Sequence, residues 1–184
     1  MNNTTYDKAN SIVDMRGVGK KKQDILDTIF SQRDNYIVEN DAILQSAIKE
    51  LFSTDETNTH GVKNFYLRDH VVEEMSRIDK SDYLRYIRYR YSYDMFPSIY
   101  KTVEYPPLVQ IEPTSICNYR CVFCYQTDSR LSDKRNGHMG VMSLDLFKNV
   151  IDQLEGNVEG VTLASRGEPT VNKKLPEFLK YMSG

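Results

Sequence analysis

Three cysteines, Cys117, Cys121 and Cys124, are the only ones in the 184-residue chain, and all fall within the stretch CNYRCVFC. An odd, tightly clustered set makes a poor disulfide framework, because secreted scaffolds use an even number spread along the chain. The fold therefore has to be held by an apolar core, and a hydrophobic share of 40% is enough for one. The polar neighbours Asn118, Tyr119 and Arg120 argue against three thiols buried as small apolar residues. Reduced thiolates acting as metal ligands fit the cluster better, and a reducing cytoplasmic interior is their expected setting.

The segments around the cysteines set the expected fold. Two prolines in EYPPLVQIEP forbid helix at Pro106 and Pro107, and the apolar run Leu108 to Ile111 has the length of a buried strand. Ser143 is a good N-cap for a helix with Leu146, Phe147, Val150, Ile151 and Leu154 on one face, closed by Gly156. GVTLAS then reads as a second strand, and NKKLPEFLKYMSG as a helix that tolerates Pro176 only in its first turn. Strand, helix, strand, helix is the rhythm of a parallel α/β structure. In such folds ligands gather beyond the carboxyl ends of the strands. Both CNYRCVFC and SRGEP follow strands, so they are expected on the same face.

Residues 1–105 read as a mainly α-helical region of unassigned role, and residues 106–184 as a separate α/β domain. In the first region Ile25, Leu26, Ile29 and Phe30 lie at helical spacing, as do Ile43, Leu44, Ala47, Ile48 and Leu51 behind a candidate cap at Asn40. Ser53 to Gly61 is a polar loop, helical pattern resumes at Phe65, and Ser81 is a candidate cap for DYLRYIRYRY.

A structural zinc site wants four ligands, and His138 is the one histidine downstream of the cysteines, so a Cys3His zinc module without catalysis is one reading. A 4Fe–4S cluster normally takes four thiolates. With three, one iron is left open to bind a substrate or cofactor, as a catalytic zinc keeps one position free.

The C-x3-C-x2-C spacing with aromatic Phe123 before the last cysteine, followed by MGVMS ahead of a helix and GEPT after the next strand, resembles the radical S-adenosylmethionine (radical SAM) superfamily, in particular its peptide-modifying, SPASM-type members. The likeness covers about Leu108 to Gly184. It implies an α/β fold that is the start of a partial (βα)6 radical SAM barrel, about two βα units long. It implies that Cys117, Cys121 and Cys124 each hold one iron of a 4Fe–4S cluster and that S-adenosyl-L-methionine chelates the fourth. Phe123 would lie against the adenine of that cofactor. Gly167, Glu168 and Pro169 would match the GGEP element that meets its methionyl amino group, with Arg166 where the family usually has glycine. The implied activity is an oxidoreductase-type one. The reduced cluster cleaves the sulfonium, and a 5′-deoxyadenosyl radical abstracts hydrogen from a substrate, for which a peptide or protein is the expected class. The implied redox partner is an external electron donor of the flavodoxin or ferredoxin kind.

Other motifs carry less. RGVGKKK lacks the full phosphate-loop spacing and a preceding strand, so it reads as a solvated helix start. YLRYIRYRYSY, with Arg85, Arg88 and Arg90 among tyrosines, has the parts of an RNA-stacking surface. The net charge of -2, from 24 basic and 26 acidic residues, favours a packed helix with tyrosines on the barrel and arginines reaching outward. An RNA-associated protein is accordingly the third reading, nucleic acid not being the expected partner. His60 and His70 are expected on the surface. No run approaches the ~18 apolar residues of a membrane span, and the N-terminus lacks the pattern of a signal peptide. A complete barrel needs roughly six strand–helix units of about 30 residues, so the chain is expected to be a fragment of a longer enzyme and inactive alone.

Overall fold

The helical pattern of the first region resolves into five helices in the computed structural model, which describes residues 17–164 and 166–183. Arg16 and Ser165, each part of a motif above, lie outside the described residues. These helices are α1 (Val18–Gln32), α2 (Tyr36–Glu39), α3 (Ala42–Leu51), α4 (Asp69–Met75) and α5 (Tyr83–Met95). They belong to one unit that runs to Thr102; a second unit begins at Val103. No helix among the described residues is long and apolar enough to cross a membrane.

In the first unit Ile25 and Ile29 of α1, Leu44, Ala47 and Ile48 of α3, Val71, Val72 and Met75 of α4, and Leu84, Ile87 and Tyr91 of α5 close one core. Helix α5 packs on α3 and α1 of its own unit. Its buried tyrosines Tyr83 and Tyr91 belong to that core. Arg90 differs from the expectation: it is buried at 8% exposure and bonded to Asp94, instead of reaching outward. Arg85 pairs with Asp82 and Arg88 with Asp41, so the arginines of this stripe face carboxylates. His60 and His70 are exposed, as expected.

Three helix boundaries move by a residue or more. Asp41, not Asn40, caps α3, its Oδ1 accepting from the amides of Ile43 (2.9 Å) and Leu44 (3.0 Å). Asp79 caps the short 3-10 turn before α5, where Ser81 was expected to act. Phe65 and Leu67 are buried but extended, because their stretch is claimed by other partners: the Phe65 amide donates to Glu50 Oε2 at 3.0 Å and the Asn64 amide to the Glu56 carbonyl at 3.1 Å. The same Glu50 accepts from the Tyr91 hydroxyl at 2.7 Å. Burial, and then this bond, push the Tyr91 phenol well above its ordinary range.

The Asp41 cap gives a measurable prediction. Burial raises the Asp41 carboxyl, but the Leu44 amide, Arg88 and the Ile43 amide together lower it below its usual value. A carboxylate depressed in the folded state stabilises above its unfolded pKa of about 3.9, and the contribution is lost as pH falls through the lower folded value. Asp41→Ala should cost about 1 kcal/mol near neutral pH, and the difference from the unaltered chain should shrink below about pH 4. Denaturant midpoints by circular dichroism across pH check both; a pH-independent difference would refute the titration.

The second unit has two strands, β1 (Leu108–Gln110) and β2 (Gly160–Thr162), paired in parallel with Leu108 opposite Gly160 and Gln110 opposite Thr162. The pairing extends one step at each end: the Glu159 amide donates to the Pro107 carbonyl (3.2 Å), and the Ile111 amide to the Thr162 carbonyl (2.9 Å). The crossover carries α6 (Ser129–Ser132) and α7 (Leu144–Leu154), and β2 leads to α8 (Leu175–Met182). Ser143 caps α7 as expected, accepting from the Leu146 amide at 3.2 Å, and Pro176 sits in the first turn of α8. The helices meet through Phe147 and Phe178, both fully buried and stacked face to face with centroids 4.0 Å apart. Leu146, expected on the apolar face of α7, is exposed, and Leu144 packs into the core in its place. The unit is thus a parallel α/β structure of two strand–helix steps.

Candidate functional site

The root of the cysteine-bearing loop is Pro113–Ile116, just past the carboxyl end of β1. Thr114 and Ser115 are buried here, although both are polar, because the segment before α7 satisfies them. The Thr114 hydroxyl donates to the Gly140 carbonyl (2.9 Å), and the Ser115 amide donates to the same oxygen (3.0 Å). The Gly140 amide donates to Ser115 Oγ (2.7 Å), and the Met142 amide to the Pro113 carbonyl (2.9 Å). The root is therefore an ordered ribbon, with Thr114 bridged antiparallel to Val141.

From this root the chain rises into Cys117–Cys124. Cys117 and Cys124 are half-buried, Cys121 is exposed, and all three thiols are free. The Tyr119 amide donates to Cys117 Sγ at 3.4 Å and the Gln126 amide to Cys124 Sγ at 3.5 Å, so two sulfurs lie where backbone N–H groups already point. The Arg120 guanidinium folds back onto the carbonyls of Cys117 (3.1 Å) and Tyr119 (2.8 Å). Val122 and Phe123 hold their side chains in solvent, 91% and 89% exposed. The loop returns through Gln126, whose Nε2 donates to the Ser115 carbonyl, and a short turn capped by Cys124. Beyond it Asp128 caps α6 and is clasped by Arg130; that hydrogen bond and the Arg130 amide lower its carboxyl to about 2.

The turn after β2 comes to the same root. Gly167 has φ +72°, and a Cβ built on it would run into the Thr114 carbonyl oxygen and lie 2.9 Å from that of Ile116. The Glu168 amide donates to the Ile116 carbonyl at 3.0 Å. Glu168 Oε1 accepts from the Thr170 amide (3.2 Å) and hydroxyl (2.7 Å), which caps the short turn Pro169–Val171. Arg166 pairs with Glu112 at 2.9 Å and its guanidinium lies 5.7 Å from the Tyr125 ring centroid. The Glu112 bond and charge, and then Tyr125, raise the Arg166 guanidinium above its ordinary range.

Gly167, Glu168 and Pro169 are thus brought to the foot of the loop that carries Cys117, Cys121, Phe123 and Cys124. The three sulfurs are not gathered into one ligand set: among the described residues no group of three or more His, Cys, Asp and Glu side chains stands close enough to hold a metal ion. His138, the fourth ligand of the zinc reading, is exposed. The donor chemistry fits an iron–sulfur group nonetheless: three free thiols lie within eight residues, and two of the sulfurs accept backbone N–H bonds, which are among the interactions that tune such clusters. Sequence reasoning gave no role to Glu112, Thr114, Ser115 and Asn172, which tie the root to its neighbours, and took in Gly140 only within MGVMS; the EPTS and MGVMS stretches were the local signs.

Comparison with known proteins agrees with the motifs. Residues 111–183 match the family described as the Radical SAM superfamily. The chain is also similar to an Fe-coproporphyrin III synthase of Methanosarcina barkeri (strain Fusaro / DSM 804), 32% identical over 106 residues. That alignment takes in 56% of this chain and 25% of the relative, so the chain spans about a quarter of the length of the protein it matches. No solved structure matches it.

Proposed function

We propose that the second unit is the cofactor-holding start of a radical S-adenosylmethionine enzyme. Cys117, Cys121 and Cys124 would hold a 4Fe–4S cluster, and Phe123 with the Gly167–Pro169 turn would receive S-adenosyl-L-methionine. The observation that carries this reading is the seating of Gly167 and Glu168 on the Thr114 and Ile116 carbonyls, directly below the cysteines. Two sequence-distant motifs of the family match meet at one place beyond the carboxyl ends of parallel strands, where ligands of such sheets bind.

When bound, the cluster and S-adenosylmethionine would supply the chemistry of reductive sulfonium cleavage and hydrogen abstraction. The chain's own residues orient and shield. The ribbon of Pro113–Ile116 with Gly140–Met142 fixes the foot of the loop, and the amides of Tyr119 and Gln126 direct two of the sulfurs. Val122 and Phe123 offer apolar surface to cover a bound cofactor from water. An external flavodoxin- or ferredoxin-like donor is the partner this chemistry calls for. The matched relative is named for an iron porphyrin, not for a peptide, which favours a porphyrin-type substrate over the peptide or protein class expected from the motifs.

Anaerobic reconstitution with iron and sulfide tests the site. The unaltered chain should show cluster absorbance and, after reduction, a paramagnetic signal that S-adenosylmethionine alters. Cys117→Ser, Cys121→Ser and Cys124→Ser should each lose that signal. One tightly held zinc per chain and no cluster would replace this reading by the zinc module.

A further inference from the structure

Asn172 is buried at 2% exposure, four residues after Glu168, and belongs to none of the motifs that mark the site. Its Nδ2 donates to the Pro113 carbonyl at 2.9 Å and to the Met142 carbonyl at 3.2 Å, and its Oδ1 accepts from the Lys174 amide at 2.9 Å. One carboxamide therefore joins three segments: the root of the cysteine loop, the strand-like stretch before α7, and the turn that starts α8. Both hydrogens of its NH2 group are used, and its oxygen is used as well.

The requirement is narrow. Two carbonyl acceptors and one amide donor, met from a short side chain, call for a group with two N–H donors and an oxygen. Aspartate is nearly the same size but turns an acceptor toward two carbonyls. Leucine keeps the volume but takes this partner from the Met142 carbonyl and the Lys174 amide and leaves the Pro113 carbonyl with only its Met142 amide bond, and a buried polar group without a partner costs its full desolvation.

We propose that Asn172 is a positioning residue of the candidate site, which sets the spacing between the cysteine loop and the Gly167–Pro169 turn. Pro113 leads directly into Thr114–Ile116, whose carbonyls carry Gly167 and Glu168, and the Pro169 carbonyl accepts from the Asn172 amide at 3.0 Å. A shift at Asn172 therefore moves both halves of the site relative to each other without touching a cysteine. This inference rests on the function proposed above for what the site holds, but not for the spacing itself.

The test compares Asn172→Asp and Asn172→Leu with the unaltered full-length chain. Amide hydrogen exchange is read at Ser115, Met142 and Glu168, and cluster loading with its response to S-adenosylmethionine is read in parallel. Loss of the Asn172 bonds should speed exchange at these three amides about tenfold or more, with the amides of α7 unchanged. In the aspartate variant the effect should shrink from about pH 8 towards about pH 5, as a protonated carboxyl regains one donor; the leucine variant should show no such recovery. Both variants should load less iron and sulfide per chain at neutral pH. Unchanged exchange, or a loss spread evenly through α7 and α8 without pH recovery, would overturn the proposal, as would normal loading and a normal S-adenosylmethionine response despite faster exchange. If exchange behaves as expected but the unaltered chain takes up no cluster, the spacing role stands and the radical-enzyme reading falls. Should the leucine variant fail to fold, the pH series on Asn172→Asp decides alone.

Discussion

Gly167→Ala is expected to dislodge the turn after β2 from the foot of the cysteine loop. Two costs combine. The residue sits at φ +72°, in the left-handed region that costs a side-chain-bearing residue about 1–2 kcal/mol. The added methyl would also meet the Thr114 carbonyl oxygen, and backbone cannot swing away as the tip of a side chain can. Forcing extra volume into a packed site costs about 1–3 kcal/mol more. The chain can escape only by moving the turn, which breaks the Glu168 amide bond to Ile116. The expected outcome is weaker binding of S-adenosylmethionine with the three cysteines intact, measured by titrating the cluster's paramagnetic signal with the cofactor. Asn, which tolerates positive φ better than Ala, should not rescue, because the clash remains. Wild-type binding in Gly167→Ala would show that the two loops are not coupled.

Asp94→Ala is expected to be the most damaging change in the helical unit. Arg90 is buried on α5, holds Asp94 through Nη2 at 3.0 and 3.1 Å, and lies over the Tyr89 and Tyr93 rings at 5.7 and 5.1 Å. Burial is the largest influence and acts to lower the Arg90 guanidinium, but the Asp94 charge, Tyr86, Tyr89 and the Asp94 hydrogen bond together outweigh it, so the group stays charged. Removing one member of a buried pair leaves an uncompensated charge, at a cost of about 3–5 kcal/mol. Replacing Arg90 by methionine in the Asp94→Ala background removes that charge and should restore most of the loss. Denaturant unfolding followed by circular dichroism, with hydrogen exchange of the Tyr83–Met95 amides to place the change, reads both. An unchanged midpoint in Asp94→Ala would mean that water reaches the pair. The same pairing bears on the RNA reading: with Arg85, Arg88 and Arg90 each set against a carboxylate, the stripe is built for packing more than for phosphate.

Local chemistry was legible where one residue decides the outcome. Ser143 announced α7, Pro106 and Pro107 barred helix before β1, and Pro176 marked the first turn of α8. Cap choices between adjacent candidates were not legible. Asp41 and Asp79 act where Asn40 and Ser81 were expected, because the winning side chain is the one whose oxygen reaches the free amides. The extended course of Phe65 and Leu67 was also hidden, since it depends on a carboxylate at Glu50, fifteen residues away, taking the Phe65 amide. Leu144 and Leu146 lie two residues apart on α7, and periodicity alone did not tell which faced Phe178.

The sequence by itself determined the donor set and the order of the motifs: three clustered thiols, an aromatic neighbour, and a Gly-Glu-Pro turn after the next strand. These follow from residue type and spacing, which need no knowledge of distant contacts. Only the tertiary structure decided that the turn rests on the Thr114 and Ile116 carbonyls and that Asn172 ties the root to its neighbours. Those links tie the Asn172 side chain and the Gly167 turn to backbone carbonyls some thirty to sixty residues away. Such carbonyls are the same in every residue and acquire partners only when parallel pairing of β1 and β2 brings the two loops together.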